Sequence, residues 1–171
     1  MKTFADSSAL VKLYADEPGH EVVRALDVVA VAQLARVEVP AALWRKCRVG
    51  ELSVEDAGLL STEFEADYIG TAGSAPRFHA VVATAAVLGE AAKACAVHGL
   101  RAYDAVQLCC ALAVRRQDPT CDAVAAFDQN LRRAAAAEGF ALVPPALEPG
   151  AQPNPRPGPG SDVAGGPAAR D

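Results

Sequence analysis

This 171-residue chain predicts an α/β fold whose parallel central sheet is covered by helices on both faces. Three observations lead there. Short apolar runs alternate with segments whose apolar positions recur at helical spacing, and two such junctions, at Asp6 and Asp128, repeat one strand-acid-helix pattern. The composition, 51% hydrophobic with 5% aromatics, suits one core of Ala, Val and Leu in a chain too short for two ordinary domains. Strands separated by helices pair in parallel through right-handed crossovers.

The first strand is expected over residues 1–5, and Ser7-Ser8-Ala9-Leu10-Val11-Lys12-Leu13-Tyr14 continues with helical spacing. Asp16-Glu17-Pro18-Gly19 is a turn, followed by a short helix over 20–26 and a second strand over 28–31. Pro40 fits a helix only near its first turn, so the helix carrying Leu43, Trp44 and Val49 is expected to begin close to Glu38. Ser53 caps a helix over 54–69 whose first turn holds Glu55 and Asp56, where acids favour the helix dipole. The two helices read as a hairpin. Residues 78–82 fit either a third strand or the lead-in to a helix that runs to His98 and ends at Gly99. A helix then starts at Tyr103-Asp104 and continues through Val114, with Pro119 beyond it. Residues 123–127 form a strand that ends at Asp128, an Ala-rich helix with Leu131 follows, and the last strand, 140–143, is stopped by Pro144 and Pro145.

One folded domain is therefore expected over 1–147. Residues 148–171 hold six Pro and five Gly with Val163 as the only large apolar side chain, a composition that cannot offset its ordering entropy, so a disordered tail is expected. The net charge of −5 argues against a general polyanion binder and requires any nucleic-acid contact to use a local basic patch. Five cysteines, odd in number and without a C-x-x-C pair, fit buried thiols in a reducing compartment rather than a disulfide framework or a zinc site. With neither a signal-like leader nor an apolar run of spanning length, a soluble cytoplasmic protein with no membrane contact is expected.

Four acids, Asp6, Glu38, Asp104 and Asp128, each stand near the start of an expected helix. In parallel sheets the ligand site lies outside the carboxyl ends of the strands, so one edge can collect all four. Carboxylates gathered there repel unless some are protonated or a hard cation compensates them, and oxygen-only ligands suit magnesium or manganese. Such an ion polarises a phosphoryl oxygen, which is nuclease chemistry. Ser8, two residues after Asp6, is placed to bond a carboxylate or a phosphate, and Arg101, beside Asp104, to contact phosphate or pair with a site carboxylate.

The blocks Asp6-Ser7-Ser8-Ala9-Leu10-Val11-Lys12-Leu13-Tyr14, Arg36-Val37-Glu38-Val39-Pro40-Ala41-Ala42-Leu43, Leu100-Arg101-Ala102-Tyr103-Asp104-Ala105-Val106-Gln107-Leu108 and Phe127-Asp128-Gln129-Asn130-Leu131 resemble, in order and spacing, the four signature blocks of PIN-domain proteins. They are most similar to the VapC-type toxins of type II toxin–antitoxin systems, over residues 1 to about 143. The resemblance implies a three-layer α/β/α sandwich, cleavage of RNA dependent on one or two Mg²⁺ ions with Mn²⁺ able to substitute, a homodimer, and a cognate VapB-like antitoxin. It also implies that Asp6 and Asp104 are metal ligands and that Glu38 and Asp128 complete the catalytic acidic site. Ala126 departs from the pattern, because the family often has Thr or Ser two residues before its fourth acid.

Two rival functions follow from the same residues. A catalytically weak PIN-like module that acts by binding a protein partner is suggested by Ala126 and the net negative charge. A phosphoacceptor receiver domain shares the early acid and the parallel sheet, but it calls for an acidic pair at the first strand's end and a late lysine, whereas Lys93 is the last lysine and Asp6 has no acidic neighbour. Glu63, Glu65 and Asp67 are read as a solvated helix face, the three histidines as structural, and Cys109, Cys110 and Trp44 as packing residues.

Overall fold

A computed structural model describes residues 2–26 and 29–147 of the chain. Five short strands, β1 (Thr3–Ala5), β2 (Val29–Ala32), β3 (Phe78–Val81), β4 (Ala123–Ala125) and β5 (Ala141–Val143), form one sheet in the order β3-β2-β1-β4-β5. All neighbouring pairs are parallel. The register sets Phe4 beside Ala30 and Val124, and Ala5 beside Val31 and Ala125. Because successive strand residues point to opposite faces, the first set joins one apolar cluster and the second set joins another.

The helices divide accordingly. Helices α1 (Ser7–Tyr14), α2 (His20–Arg24), α3 (Ala35–Arg48) and α4 (Val54–Ile69) connect β1 to β2 and β2 to β3, and they cover the face that presents Ala5 and Val31. Helices α5 (Ala85–His98) and α6 (Ala102–Gln117), which lead from β3 to β4, and α7 (Gln129–Ala137), which leads from β4 to β5, cover the face of Phe4 and Val124. The chain moves one way along the sheet from β1 to β3, then crosses back to β4, so the strand order switches between β1 and β4. The expected α/β sandwich with a parallel sheet is the observed one.

Three details differ from the sequence reading or decide it. Helix α3 begins at Ala35, three residues ahead of Glu38, and keeps Pro40 inside it. Ala35, Val39 and Leu43 form a fully buried i, i+4, i+8 stripe, and burying that stripe outweighs the hydrogen bond that Pro40 cannot donate. Residues 78–81 are a true strand, β3 at the sheet edge, and the helix after it starts separately, with Thr84 Oγ1 accepting from the Val87 amide. The second strand runs over Val29–Ala32, one residue later than expected; Met1, residues 27–28 and the proposed tail at 148–171 lie outside the described residues.

Gly19 precedes α2 with φ of 87°, in the left-handed region, and a Cβ there would come within 2.8 Å of Phe127 Cε1. Both conditions select glycine. The cysteines of α6 are buried as expected, and burial pushes the Cys109 and Cys110 thiols up to about 11 and about 12. Trp44 is only partly packed, at 38% exposure. Among the described residues no helix is long and apolar enough to cross a membrane.

Candidate active site at the carboxyl edge of the sheet

Asp6 stands one residue past β1, at the switch in strand order. Its backbone amide donates to Ala125 O (3.0 Å), which continues the sheet by one bond, while its side chain caps α1. Oδ1 accepts from the Ala9 amide (3.0 Å) and from Ser8 Oγ (2.7 Å). Ser8 Oγ in turn accepts from the Phe127 amide at 2.8 Å and so ties the first junction to the segment ahead of Asp128. Of the two bonds expected of Ser8, the structure shows the one to a carboxylate.

The Asp6 side chain is withdrawn from water, with the residue 5% exposed. Burial pushes its carboxyl up to about 7, and the nearby Glu38 charge adds to the rise against the bonds from Ser8 and Ala9. Glu38, half-buried in the first turn of α3, is gripped at one oxygen: Oε2 accepts from Ser7 Oγ (2.6 Å) and from Gln107 Nε2 (2.7 Å). Gln107 Nε2 also reaches Ser7 Oγ at 3.0 Å. Helices from both faces of the sheet, α3 and α6, therefore meet over the end of β1.

Asp104 lies in the first turn of α6, three residues before Gln107, and residues three apart share a helix face. It is half-buried at that edge. Asp128 stands three residues past β4 and caps α7, its Oδ1 accepting from the Asn130 (2.8 Å) and Leu131 (3.0 Å) amides. Arg101 is exposed and is the residue from which α6 starts. The structure thus joins Asp6 to Glu38 electrostatically, sets Asp104 on the α6 face that carries Gln107, and puts Asp128 at the end of the neighbouring strand. Among the described residues no three carboxylate, imidazole or thiol groups stand together as a ready-made metal cage.

The donors nevertheless suit a hard divalent cation. Magnesium keeps several waters and takes one or two carboxylates, so Asp6 and Glu38 are the residues here that could hold one. A buried carboxyl held near neutrality beside a second acid is a site at which a cation stabilises the ionised form. Gln107 Oε1, buried without a partner, adds an oxygen acceptor to the same corner.

Sequence reasoning missed Ser7, Gln107 and Arg132. The only available signal for Gln107 was its spacing of three from Asp104. Arg132 is 5% exposed and donates to Ala126 O (2.8 Å), Pro144 O (2.8 Å) and Pro145 O (3.3 Å), which fastens the approach to Asp128 to the end of β5. Burial lowers its pKa, and the Asp6 charge works in the opposite direction. Ala126 is fully buried in the apolar cluster beneath α6 and α7. The acidic run on α4 is less idle than expected, since Asp67 accepts from Tyr14 Oη (2.9 Å) and Arg77 Nη1 (3.2 Å), and Glu65 pairs with Arg36.

No protein-family model matches the chain. Among curated proteins it is 33% identical over 150 residues to Ribonuclease VapC45 and, equally, to Ribonuclease VapC49 of two Mycobacterium tuberculosis strains, with 85% of this chain and 97% of each relative aligned. The chain belongs to the VapC family of PIN-type ribonucleases. That membership accords with the parallel α/β sandwich, and in this VapC chain the four signature acids all fall on one sheet edge or on helix starts beside it.

Proposed function

We propose that this protein is a metal-dependent endoribonuclease that hydrolyses RNA phosphodiester bonds as the toxin of a VapBC-like toxin–antitoxin system. The observation that carries the reading is the buried Asp6 carboxyl beside Glu38 at the switch in strand order, in a chain whose relatives are named ribonucleases. One or two Mg²⁺ ions, with Mn²⁺ as substitute, are the proposed cofactor, held by Asp6, Glu38 and Asp104 with Asp128 at the margin. A bound cation there supplies Lewis acidity to the phosphodiester and to the attacking water.

The chain's own side chains do the rest. Asp6 is oriented by Ser8 and the Ala9 amide, and its withdrawal from bulk water strengthens every charge interaction it makes. Glu38 is fixed through Oε2. Arg101, exposed at the start of α6, is the proposed phosphate contact. Single-stranded or loop RNA is the proposed substrate form, because its bases splay and its phosphates are accessible. A cognate VapB-like antitoxin, a homodimeric state and a cytoplasmic location belong to the same reading.

The test uses the full-length protein freed of antitoxin, titrated with Mg²⁺ or Mn²⁺ over defined RNAs. Metal-dependent cleavage that Asp6→Asn and Asp104→Asn abolish without unfolding is the expected result. Tight partner binding with no cleavage at any metal concentration would instead favour a binding module.

A further inference from the structure

Gln107 is a long polar side chain in the buried stretch of α6, only 2% exposed. Its Nε2 donates to Glu38 Oε2 at 2.7 Å and to Ser7 Oγ at 3.0 Å, while Ser7 Oγ donates to the same Glu38 oxygen at 2.6 Å. The three groups close a small triangle. Its chemistry fixes the amide orientation, because a flipped amide would set its oxygen against a carboxylate. The other amide atom, Oε1, is buried without a partner.

For packing alone this is a poor choice. A buried acceptor left without a partner is penalised in full, and a glutamine side chain loses more rotamer freedom on ordering than a leucine does. Leucine would occupy similar space without the unpartnered acceptor and with the smaller entropy loss. What leucine cannot do is hold Glu38, which belongs to a helix on the opposite face of the sheet from α6. A glutamate near a sheet edge has three side-chain torsions to settle, and two donors on one oxygen settle them.

We propose that Gln107, assisted by Ser7, is a positioning residue that locks the Glu38 carboxylate in the orientation that receives a divalent cation, and so sets the cation affinity of this edge. The inference rests on the preceding reading in one respect, that Glu38 meets a divalent cation.

The experiment is calorimetric titration of Mn²⁺ into the full-length protein without RNA, for wild type, Gln107→Leu, Glu38→Gln and the double variant. Gln107→Leu is expected to weaken Mn²⁺ binding by about 10- to 100-fold, as loss of a partner of a metal ligand does. In the Glu38→Gln background the same substitution is expected to change affinity by less than about twofold, because the two residues act as a unit. Wild-type affinity in Gln107→Leu, or equal weakening in both backgrounds, overturns the proposal; the second pattern marks a merely structural role. If Gln107→Leu does not fold, Ser7→Ala decides, with several-fold weaker binding expected only when Glu38 is present and unchanged binding overturning the assignment. A folded wild type that takes up no Mn²⁺ removes the cation reading and this proposal together. A wild type that binds Mn²⁺ but cleaves no RNA removes only the ribonuclease reading, and the four titrations still judge Gln107.

Discussion

The junctions at Asp6 and at Asp128 are built alike and end differently. Each places an aspartate just past one of two adjacent parallel strands, gives it extended backbone (ψ 170° and 124°), and uses its Oδ1 to cap the next helix. At Asp6 the cap is shared with Ser8 Oγ, the residue is 5% exposed, and burial pushes the carboxyl up to about 7. At Asp128 two backbone amides occupy Oδ1 and the residue is half-buried, because residues 126–127 first carry the chain beyond the strand, with the Ala126 amide donating to Val143 O at 3.1 Å. Capping is common to both and says nothing of chemistry. Burial separates them, and it follows from how far each acid stands from its strand.

Substitutions that preserve both caps give the sharpest contrast. Asparagine caps as well as aspartate, so Asp6→Asn keeps the bonds from Ala9 and Ser8 while removing the buried charge. Single-turnover cleavage is expected to fall by about a thousandfold or more for Asp6→Asn, against about tenfold for Asp128→Asn, a gap of roughly 3 kcal/mol in barrier height. Comparable losses in the two variants would erase the distinction.

Gly19→Ala probes the wall that holds the Asp128 approach in place. A left-handed residue and a Cβ within 2.8 Å of the Phe127 ring should together cost about 2–3 kcal/mol by chemical denaturation. A neutral result would mean that the Phe127 segment yields.

The charge at Asp6 also has a sign that pH can read. Its folded pKa of about 7 lies above the ordinary 3.8, so between those values the folded state keeps a proton that the unfolded chain has released. Metal-free wild type should therefore lose stability relative to Asp6→Asn as pH rises from about 4 to about 7, by up to about 4 kcal/mol in denaturation curves at successive pH values. A difference that does not change with pH would show Asp6 to be hydrated. The smallest effects belong to the outer acid: Asp128→Ala should cost about 1 kcal/mol for the lost cap, and Asp128→Asn less than about 0.5 kcal/mol.

Much of this was legible in the sequence because it is local. Strand and helix periods, the Ser53 cap, the break at Gly99 and the two aspartate junctions are read within a few residues, and the order of the elements then fixes a parallel sheet. The start of α3 was not legible, since the rule that confines proline to the first turn yields to a buried Ala35-Val39-Leu43 stripe that only tertiary packing creates. Ser7 and Gln107 escaped for a related reason: they meet across 100 positions of chain, and nothing near either residue marks the contact. Arg132 reads as a surface cation until the carbonyls of residues 126, 144 and 145 are brought around it.

The measurement that bears most directly on the account is single-turnover cleavage of one defined RNA by antitoxin-free wild type, Asp6→Asn and Asp128→Asn at saturating Mn²⁺, with folding checked by circular dichroism. Wild-type cleavage that requires the cation, none detectable from folded Asp6→Asn, and a reduced but measurable rate from Asp128→Asn are the expected results. Cleavage by folded Asp6→Asn at the wild-type rate would contradict the account.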